Sequence, residues 1–352
     1  MKVLITAGGT GGHIMPAVAI AEAIGERDPG TKILFVGTDR GMEERIASMK
    51  GLDFIPIRAL GIKGKSAANL MKALVVNLRA FLKALSVVRE FRPAWVIGTG
   101  GYITGMVVLA GRLLGCACAI QEQNSIPGLT NRILSRLVHR VYLAFPDSAG
   151  RFPASKAVIT GNPLRRELTG LSRNADTSTL LVLGGSLGAS SINRAAIGAA
   201  LLLKDQGMEI KILHQSGKQD FDLVRKAYQD MGMVAEVSEF IDDMASAYRT
   251  ARLAVSRCGG ITLSELSAAG LPSILVPFPF ATDDHQTING GYVAGKGGGW
   301  LIPDSQLTPE RLALEIRTRF FDREGLAHAS AAMKKLGLGA GADIIAQEIM
   351  RV

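Results

Sequence analysis

One pattern restricts the fold more than any other, and it occurs twice. Residues 2–7 (KVLITA) are apolar and lead into GGTGGH at 8–13 and then an amphipathic segment; residues 179–183 (TLLVL) lead into GGSLGA at 184–189 and another amphipathic segment. A buried strand, a glycine-rich turn and a helix form the opening unit of a doubly wound α/β domain. Two copies in 352 residues predict two such domains. Around them, short apolar runs alternate with helical patterning. Strands are expected at 2–7, 32–36, 94–98, 117–121, 140–144, 179–183, 209–214, 234–239, 253–256, 273–276 and 299–302. Helices are expected at 16–27, 41–50, 70–90, 103–114, 128–136, 189–206, 218–231, 243–250, 262–269 and 285–296. This alternation predicts parallel sheets covered on both faces. The expected architecture is therefore α/β, with two Rossmann-like domains facing each other across a cleft and ligand at the carboxyl ends of the strands. The expected divisions are 1–162, 163–340 and a C-terminal helix at 341–352 returning to the first domain, with GNPLRREL (161–168) as the connection.

Charge and cysteine content narrow the function. Residues 1–160 hold 20 Lys and Arg against 10 Asp and Glu, whereas the remainder is close to neutral. The front half is therefore suited to an anionic partner: phosphates, nucleic acid or an acidic lipid surface. Nucleic acid is disfavoured, because there is no aromatic–basic interleaving, zinc-finger spacing or dense basic block. Cys116, Cys118 and Cys258 cannot build a disulfide framework, and no Cys/His spacing suggests a metal. The chain opens directly on a strand pattern, with no signal peptide evident. The apolar stretches 68–88 and 103–120 are interrupted by charge and fall short of the ~20 clean apolar residues of a spanning helix. A cytoplasmic location is expected.

The glycine loops point to a phosphorylated ligand. Four glycines within 8–13 let backbone approach a ligand closely, Pro16 suits the first turn of the following helix, and the N–H groups there suit an anion. Standard nucleotide fingerprints fail. Ile14 occupies the last glycine position of GxGxxG, and Ala59 stands where a Walker sequence ending at Gly64-Lys65-Ser66 needs its first glycine. Residues 184–188 match GxSxG, but the acid and histidine that a hydrolase needs later are represented only by the adjacent Asp284-His285. Ser186 reads better as a phosphate-contacting hydroxyl. In SRCGGITLSELSAAGLP (256–272), Glu265 is expected on the first turn of a helix starting near Thr262, either receiving ribose hydroxyls or serving as an ordinary helix-terminal acid. DDHQTIN (283–289) offers donors and acceptors for sugar hydroxyls, or a solvated cap. TGGYITG (99–105) and QEQN (121–124) lie at strand ends.

Together GGTGGHIMP, the basic segment 63–65, GTGGY, EQN, GNP, GGSLGA, HQSGK, EFIDDM, the 256–272 block and DHQTIN resemble the MurG family of bacterial peptidoglycan glycosyltransferases, in order from residue 5 to about 300. The resemblance implies a GT-B fold and inverting transfer of N-acetylglucosamine from UDP-GlcNAc to the C4 hydroxyl of the muramoyl sugar of lipid I, giving lipid II. It implies no cofactor and no metal for the chemistry. Carried across by position, Thr10, Gly11 and Gly12 approach the diphosphate or sugar, and Asn124 lies near the transferred sugar. Arg165 and Ser186 address phosphate, and Ile241 offers backbone to the uracil. Gly260, Ile261, Thr262, Leu263, Ser264 and Glu265 wrap the nucleoside, with Glu265 on the ribose, and Gln286 binds GlcNAc hydroxyls. Gln121 departs from the pattern, standing where many members have His, so a base role at that position does not carry over.

Such a displacement needs a base for the acceptor hydroxyl and stabilisation of the departing diphosphate. His13 is the base candidate, since an imidazole with an ordinary pKa of about 6.5 suits proton uptake near neutrality, and Glu122 is its rival. A lipid-linked acceptor requires contact with the cytoplasmic face of the inner membrane. The segment 70–90 sets Leu70, Leu74, Leu78, Phe81, Leu85 and Val88 at helical spacing, with Lys72, Arg79, Lys83 and Arg89 elsewhere. It reads either as an interfacial element on anionic lipid or as an ordinary sheet-covering helix. The family also implies cell-wall or division proteins as partners. The alternatives are a diacylglycerol galactosyltransferase, a UDP-GlcNAc 2-epimerase, and a catalytically silent module that binds UDP-sugars.

Overall fold

The computed structural model describes all residues except 10, 40–41, 62–66, 147–149, 175–176, 186–187 and 352, and the side chains at 67–70 and 72. Thr10, Ser186, the basic segment 63–65 and the Leu70 and Lys72 side chains thus lie outside the described residues.

The chain divides into two units, one of Met1–Arg166 together with the chain from Gly339 onward, the other Glu167–Leu338. The strands of the first are β1 (Lys2–Ala7), β2 (Lys32–Gly37), β3 (Asp53–Pro56), β4 (Trp95–Gly100), β5 (Ala117–Glu122), β6 (Arg140–Leu143) and β7 (Ala157–Ile159). They form one sheet in the order β3-β2-β1-β4-β5-β6-β7, and every pairing is parallel. The connecting helices are α1 (Gly11–Arg27), α2 (Glu43–Met49), α3 (Ala67–Phe91), α4 (Tyr102–Leu113) and α5 (Leu129–Leu134). The composition of β1 follows from burial on both faces. Val3, Ile5 and Ala7 join the core formed with α1, while Leu4 joins the core formed with α3 and α4.

In the second unit, β8 (Thr179–Leu183), β9 (Lys211–Gln215), β10 (Ala235–Ser238), β11 (Ala251–Ser256), β12 (Ser273–Leu275) and β13 (Gly299–Leu301) form a parallel sheet in the order β10-β9-β8-β11-β12-β13. Counted from its own first strand this is 3-2-1-4-5-6, the order of the first six strands of the other unit and of the Rossmann fold. Its helices are α6 (Ser190–Asp205), α7 (Phe221–Asp230), α8 (Met244–Thr250), α9 (Gly260–Ala269), α10 (His285–Gly295), α11 (Pro309–Phe320) and α12 (Arg323–Lys335). Leu180 and Val182 pack with α6 and with Leu312, Ile316 and Phe320 of α11. The last helix, α13 (Gly341–Met350), belongs to the first unit, where Ile345, Ala346 and Ile349 are fully buried in the core shared with α1. The Gly341 N–H donates to Asn162 O at 3.2 Å, tying this return to the end of the first pass.

Two sequence expectations need correction. The first helix starts at Gly11, so Pro16 is its sixth residue rather than part of its first turn. Two glycines wind into the helix ahead of it, and the Gly12 carbonyl lies where an N–H at position 16 would donate, which proline lacks. The apolar stripe expected along 70–90 is split. Phe81, Leu85 and Val88 pack toward the sheet, while Leu74 and Leu78 are exposed with Met71, Val75 and Leu82.

Candidate functional site

In the first unit, the loops that leave the carboxyl ends of β1, β4 and β5 meet around His13. Gly8 N donates to Gly100 O at 3.1 Å. A Cβ on Gly101, whose φ is +91°, would fall 2.1 Å from Gly8 O, so backbone-to-backbone contact requires glycine there. Glu43, fully buried, lies under the first loop, with Oε1 accepting from Gly9 N at 3.2 Å and from Thr38 Oγ1 at 2.8 Å. The His13 ring rests against Gly100, where a Cβ would fall 2.4 Å from Nδ1. Its backbone carbonyl accepts from Thr99 Oγ1 at 2.8 Å, and its Nδ1 lies 3.1 Å from Gln123 Oε1. Burial pushes the imidazole below the ordinary histidine value, against smaller raising effects of hydrogen bonds from the ring to the Gln123 side chain and the Thr99 backbone. His13 is therefore neutral at pH 7 and able to take a proton.

Glu122 is placed differently. Its side chain is 3% exposed. Its oxygens accept from Asn131 Nδ2 at 2.9 Å and from the backbone N–H groups of Asn124 at 3.1 Å and Gly128 at 3.2 Å. Burial pushes its carboxyl up, and these hydrogen bonds pull it back. The carboxylate organises the turn from β5 into α5, and Asn124, half-buried, is held by it. Gln121 is fully buried and donates from Nε2 to Asn162 Oδ1 at 2.9 Å and to Glu122 O at 3.1 Å. Arg165 is half-buried near the end of the first unit's first pass.

In the second unit, a Cβ on Gly188, whose φ is +81°, would fall 2.4 Å from Ser216 O, which accounts for a glycine just before α6. Gln215, at the end of β9, ties this loop to the next. Its Nε2 donates to Gly185 O at 2.9 Å and its Oε1 accepts from Ile241 N at 3.0 Å. The Ile241 N–H is thus already engaged, and its carbonyl is the backbone group left to offer.

α9 begins at Gly260, so Glu265 sits on its second turn, where the helix dipole does little for a carboxylate. Glu265 is half-buried, and its Oε2 accepts from Tyr248 Oη at 2.7 Å instead. The first-turn amides of Gly260, Ile261 and Thr262 have no acceptor one turn back within their own helix. Leu263 is buried in the core, and Ser264 Oγ donates to Gly260 O at 2.9 Å, so neither side chain is offered to a ligand. Gln286 spends its carbonyl on the backbone N–H groups of Cys258 at 3.1 Å and Phe278 at 3.0 Å, which leaves its Nε2 as the donor for a hydroxyl. Among the described residues, no group of three or more His, Cys, Asp or Glu could hold a metal.

The structure thus gathers His13, Gly11, Gly12, Glu122 and Asn124 with the strand ends of the first unit. It gathers Ile241, the start of α9, Glu265 and Gln286 with those of the second. Sequence reasoning missed Thr99, Gln123, Gln215 and Tyr248. Gln215 and Thr99 sit within quoted motifs, and Gln123 within EQN, but no spacing rule links residues 110 apart.

Two parallel sheets of Rossmann order, each with a glycine loop after its first strand and polar groups collected at its carboxyl ends, define a protein of GT-B fold. Residues 3–143 match the glycosyltransferase family 28 N-terminal domain, and residues 179–345 match its C-terminal domain. The UDP-N-acetylglucosamine–N-acetylmuramyl-(pentapeptide) pyrophosphoryl-undecaprenol N-acetylglucosamine transferase of Myxococcus xanthus is 43% identical over 90% of this chain and 84% of its own length. The transferase of that name from Methylococcus capsulatus is also 43% identical, over 98% of this chain and 97% of its own. The crystal structure of Acinetobacter baumannii MurG superposes with a TM-score of 0.83 at 31% identity, covering 100% of this chain and 99% of that one. A Neisseria meningitidis UDP-GlcNAc 2-epimerase bound to UDP-GlcNAc, at 14% identity and a TM-score of 0.70 over 100% of both chains, shares the fold alone. The chain belongs to glycosyltransferase family 28, in its MurG group.

Proposed function

We propose that the chain transfers N-acetylglucosamine from UDP-GlcNAc to the C4 hydroxyl of the muramoyl sugar of undecaprenyl-diphosphate-linked N-acetylmuramyl-pentapeptide, with inversion at the anomeric carbon. The observation that carries this reading is the neutral, positioned imidazole of His13 in a chain whose relatives with that named activity match it end to end. The acceptor is assigned to the first unit. As its C4 oxygen bonds to the anomeric carbon, the hydroxyl proton passes to His13 and the bond from that carbon to the β-phosphate oxygen breaks, leaving UDP.

The donor is assigned to the second unit. Backbone amides at the start of α6 and α9 suit the diphosphate and nucleoside, Glu265 the ribose and Gln286 the GlcNAc hydroxyls. Arg165 and Ser186 are assigned to phosphate, Thr10, Gly11 and Gly12 to the diphosphate or sugar, and Asn124 to the transferred sugar. Glu122 is assigned to positioning, because its carboxylate is buried and engaged by Asn131 and by the backbone N–H groups of Asn124 and Gly128.

We assign the working protein to an anionic membrane surface, as a peripheral protein, because the acceptor proposed for it is lipid-linked. No helix among the described residues is long and apolar enough to cross a membrane. The first half of α3 exposes Met71, Leu74, Val75, Leu78 and Leu82 on one stripe, with Arg79 and Lys83 exposed along its side. This is the make-up of an interfacial helix.

The deciding assay is UDP release from UDP-GlcNAc with and without a lipid-linked muramyl-pentapeptide analogue. Acceptor-dependent release is expected, and His13→Ala should lower kcat about 10²- to 10⁴-fold while changing the Kd for UDP-GlcNAc by less than about threefold. Equal losses in both would make His13 a binding residue. Binding without turnover would make the chain a UDP-sugar-binding module.

A further inference from the structure

We propose that Gln123 is a positioning residue that holds His13 as the Nδ1–H tautomer, so that Nε2 is the atom that accepts the proton. This rests on the base role proposed for His13. An amide side chain can face a histidine with either its oxygen or its nitrogen, and each choice dictates a different tautomer. Here the choice is forced from behind. Gln123 Nε2 donates to Thr99 O and to Gln121 Oε1, the latter at 2.6 Å. Both partners are fully buried, and a flipped amide would set oxygen against two oxygens.

Gln121 cannot turn to relieve such a clash, because its own Nε2 is committed to Asn162 Oδ1 and Glu122 O. Asn162 is oriented in turn by donating from Nδ2 to Gln123 O at 3.2 Å. Gln123 Oε1 therefore faces His13 Nδ1, 3.1 Å away, and only a protonated Nδ1 makes a hydrogen bond there. The ring has no alternative seat on that side. The missing Cβ of Gly100 is the space it fills. Thr99 holds both ends of the arrangement, since its hydroxyl donates to His13 O and its carbonyl accepts from Gln123.

Gln121 acquires a role by the same route. It does not approach substrate. It sets the rotation of Gln123, which sets the proton on His13. A glutamine serves here because one acceptor and two donor hydrogens are all used, by Gln123, Asn162 and Glu122 O.

The test is the ¹⁵N spectrum of histidine-labelled protein, with the His13 signals assigned by their loss in His13→Asn. The wild-type chain should show a single neutral tautomer with the proton on Nδ1. Gln123→Met, which keeps the length but none of the three side-chain hydrogen bonds, should give a mixture of tautomers. It should lower kcat about 10- to 100-fold, less than loss of the base itself, with KM for UDP-GlcNAc within about twofold. Gln123→Glu sets an oxygen against Thr99 O and Gln121 Oε1 and should lose the single tautomer as well. A wild-type proton on Nε2, or a Gln123→Met spectrum identical to wild type, would overturn the proposal, and the wild-type measurement depends on no variant folding. The base assignment fails separately: wild-type kcat in His13→Ala, with the Nδ1–H tautomer still found in the unsubstituted chain, would remove the catalytic role and leave the relay in place.

Discussion

Acidification should unfasten the second unit through His214, and the size of the effect can be worked from its surroundings. His214 lies on β9, fully buried. Asn193 donates from Nδ2 to Ser216 O and Asp220 Oδ2, both at 2.9 Å, so its Oδ1 accepts from His214 Nε2 at 3.0 Å. Nδ1 then accepts from Tyr228 Oη at 3.0 Å. Burial pushes the imidazole down to about 3, and the charge of Asp220 offsets this only in part. The unfolded chain protonates the same group near its ordinary value of about 6.5. Between those values the unfolded state holds one more proton, so stability is intact above about pH 6.5 and falls by ~1.4 kcal/mol per pH unit below it. The loss at pH 5 is about 2 kcal/mol, a large fraction of a domain's margin.

The measurement is urea unfolding at pH 7, 6 and 5 in a Trp95→Phe background. Trp300, on β13, then reports the second unit alone. His214→Gln should be less stable at pH 7 by about 1–3 kcal/mol, yet its stability should fall less steeply with acid by nearly one proton. Parallel pH slopes for the two proteins would refute the reasoning. Asn193 is the fourth residue of α6, so the same hydrogen-bond network anchors the helix start proposed to receive the diphosphate.

Two further outcomes follow from single contacts. Gly100→Ala would put a methyl 2.4 Å from His13 Nδ1 at a φ of +125°. It should cut kcat at least about tenfold while calorimetric binding of UDP-GlcNAc is retained; full turnover would mean the ring is not seated there. On vesicles rich in phosphatidylglycerol, Arg79→Ser and Lys83→Ser should each weaken binding about fivefold, roughly 1 kcal/mol per charge, and added salt should do the same. Salt-independent binding would argue against the α3 attachment.

Much of the fold was legible in the residues, for physical reasons. Strands buried on both faces, such as β1 and β8, are continuous apolar runs that stand out from any helix. The edge strands of the first unit do not. β3 is only DFIP and β7 only AVI, each half-exposed and too short to show a period. Helices α11 and α12 carry no glycine loop and were not among the expected helices, although Thr308 ahead of Pro309 and Asp322 ahead of Arg323 both cap by accepting a backbone N–H. Glycine loops and charged candidates were legible at the site because their residue types are unusual. The groups that aim them were not. Gln123 and Tyr248 are ordinary polar residues until folding sets them against His13 and Glu265.

Because α13 completes the core around α1, the first unit is built from two separate stretches of chain, and the other unit is inserted between them, ahead of α13. Damage at the tail is therefore felt at the head. A stop codon around residue 340 would leave the neighbouring sequence whole and strip a wall from the half that carries His13. During synthesis, that half stays unfinished until the inserted unit has been made.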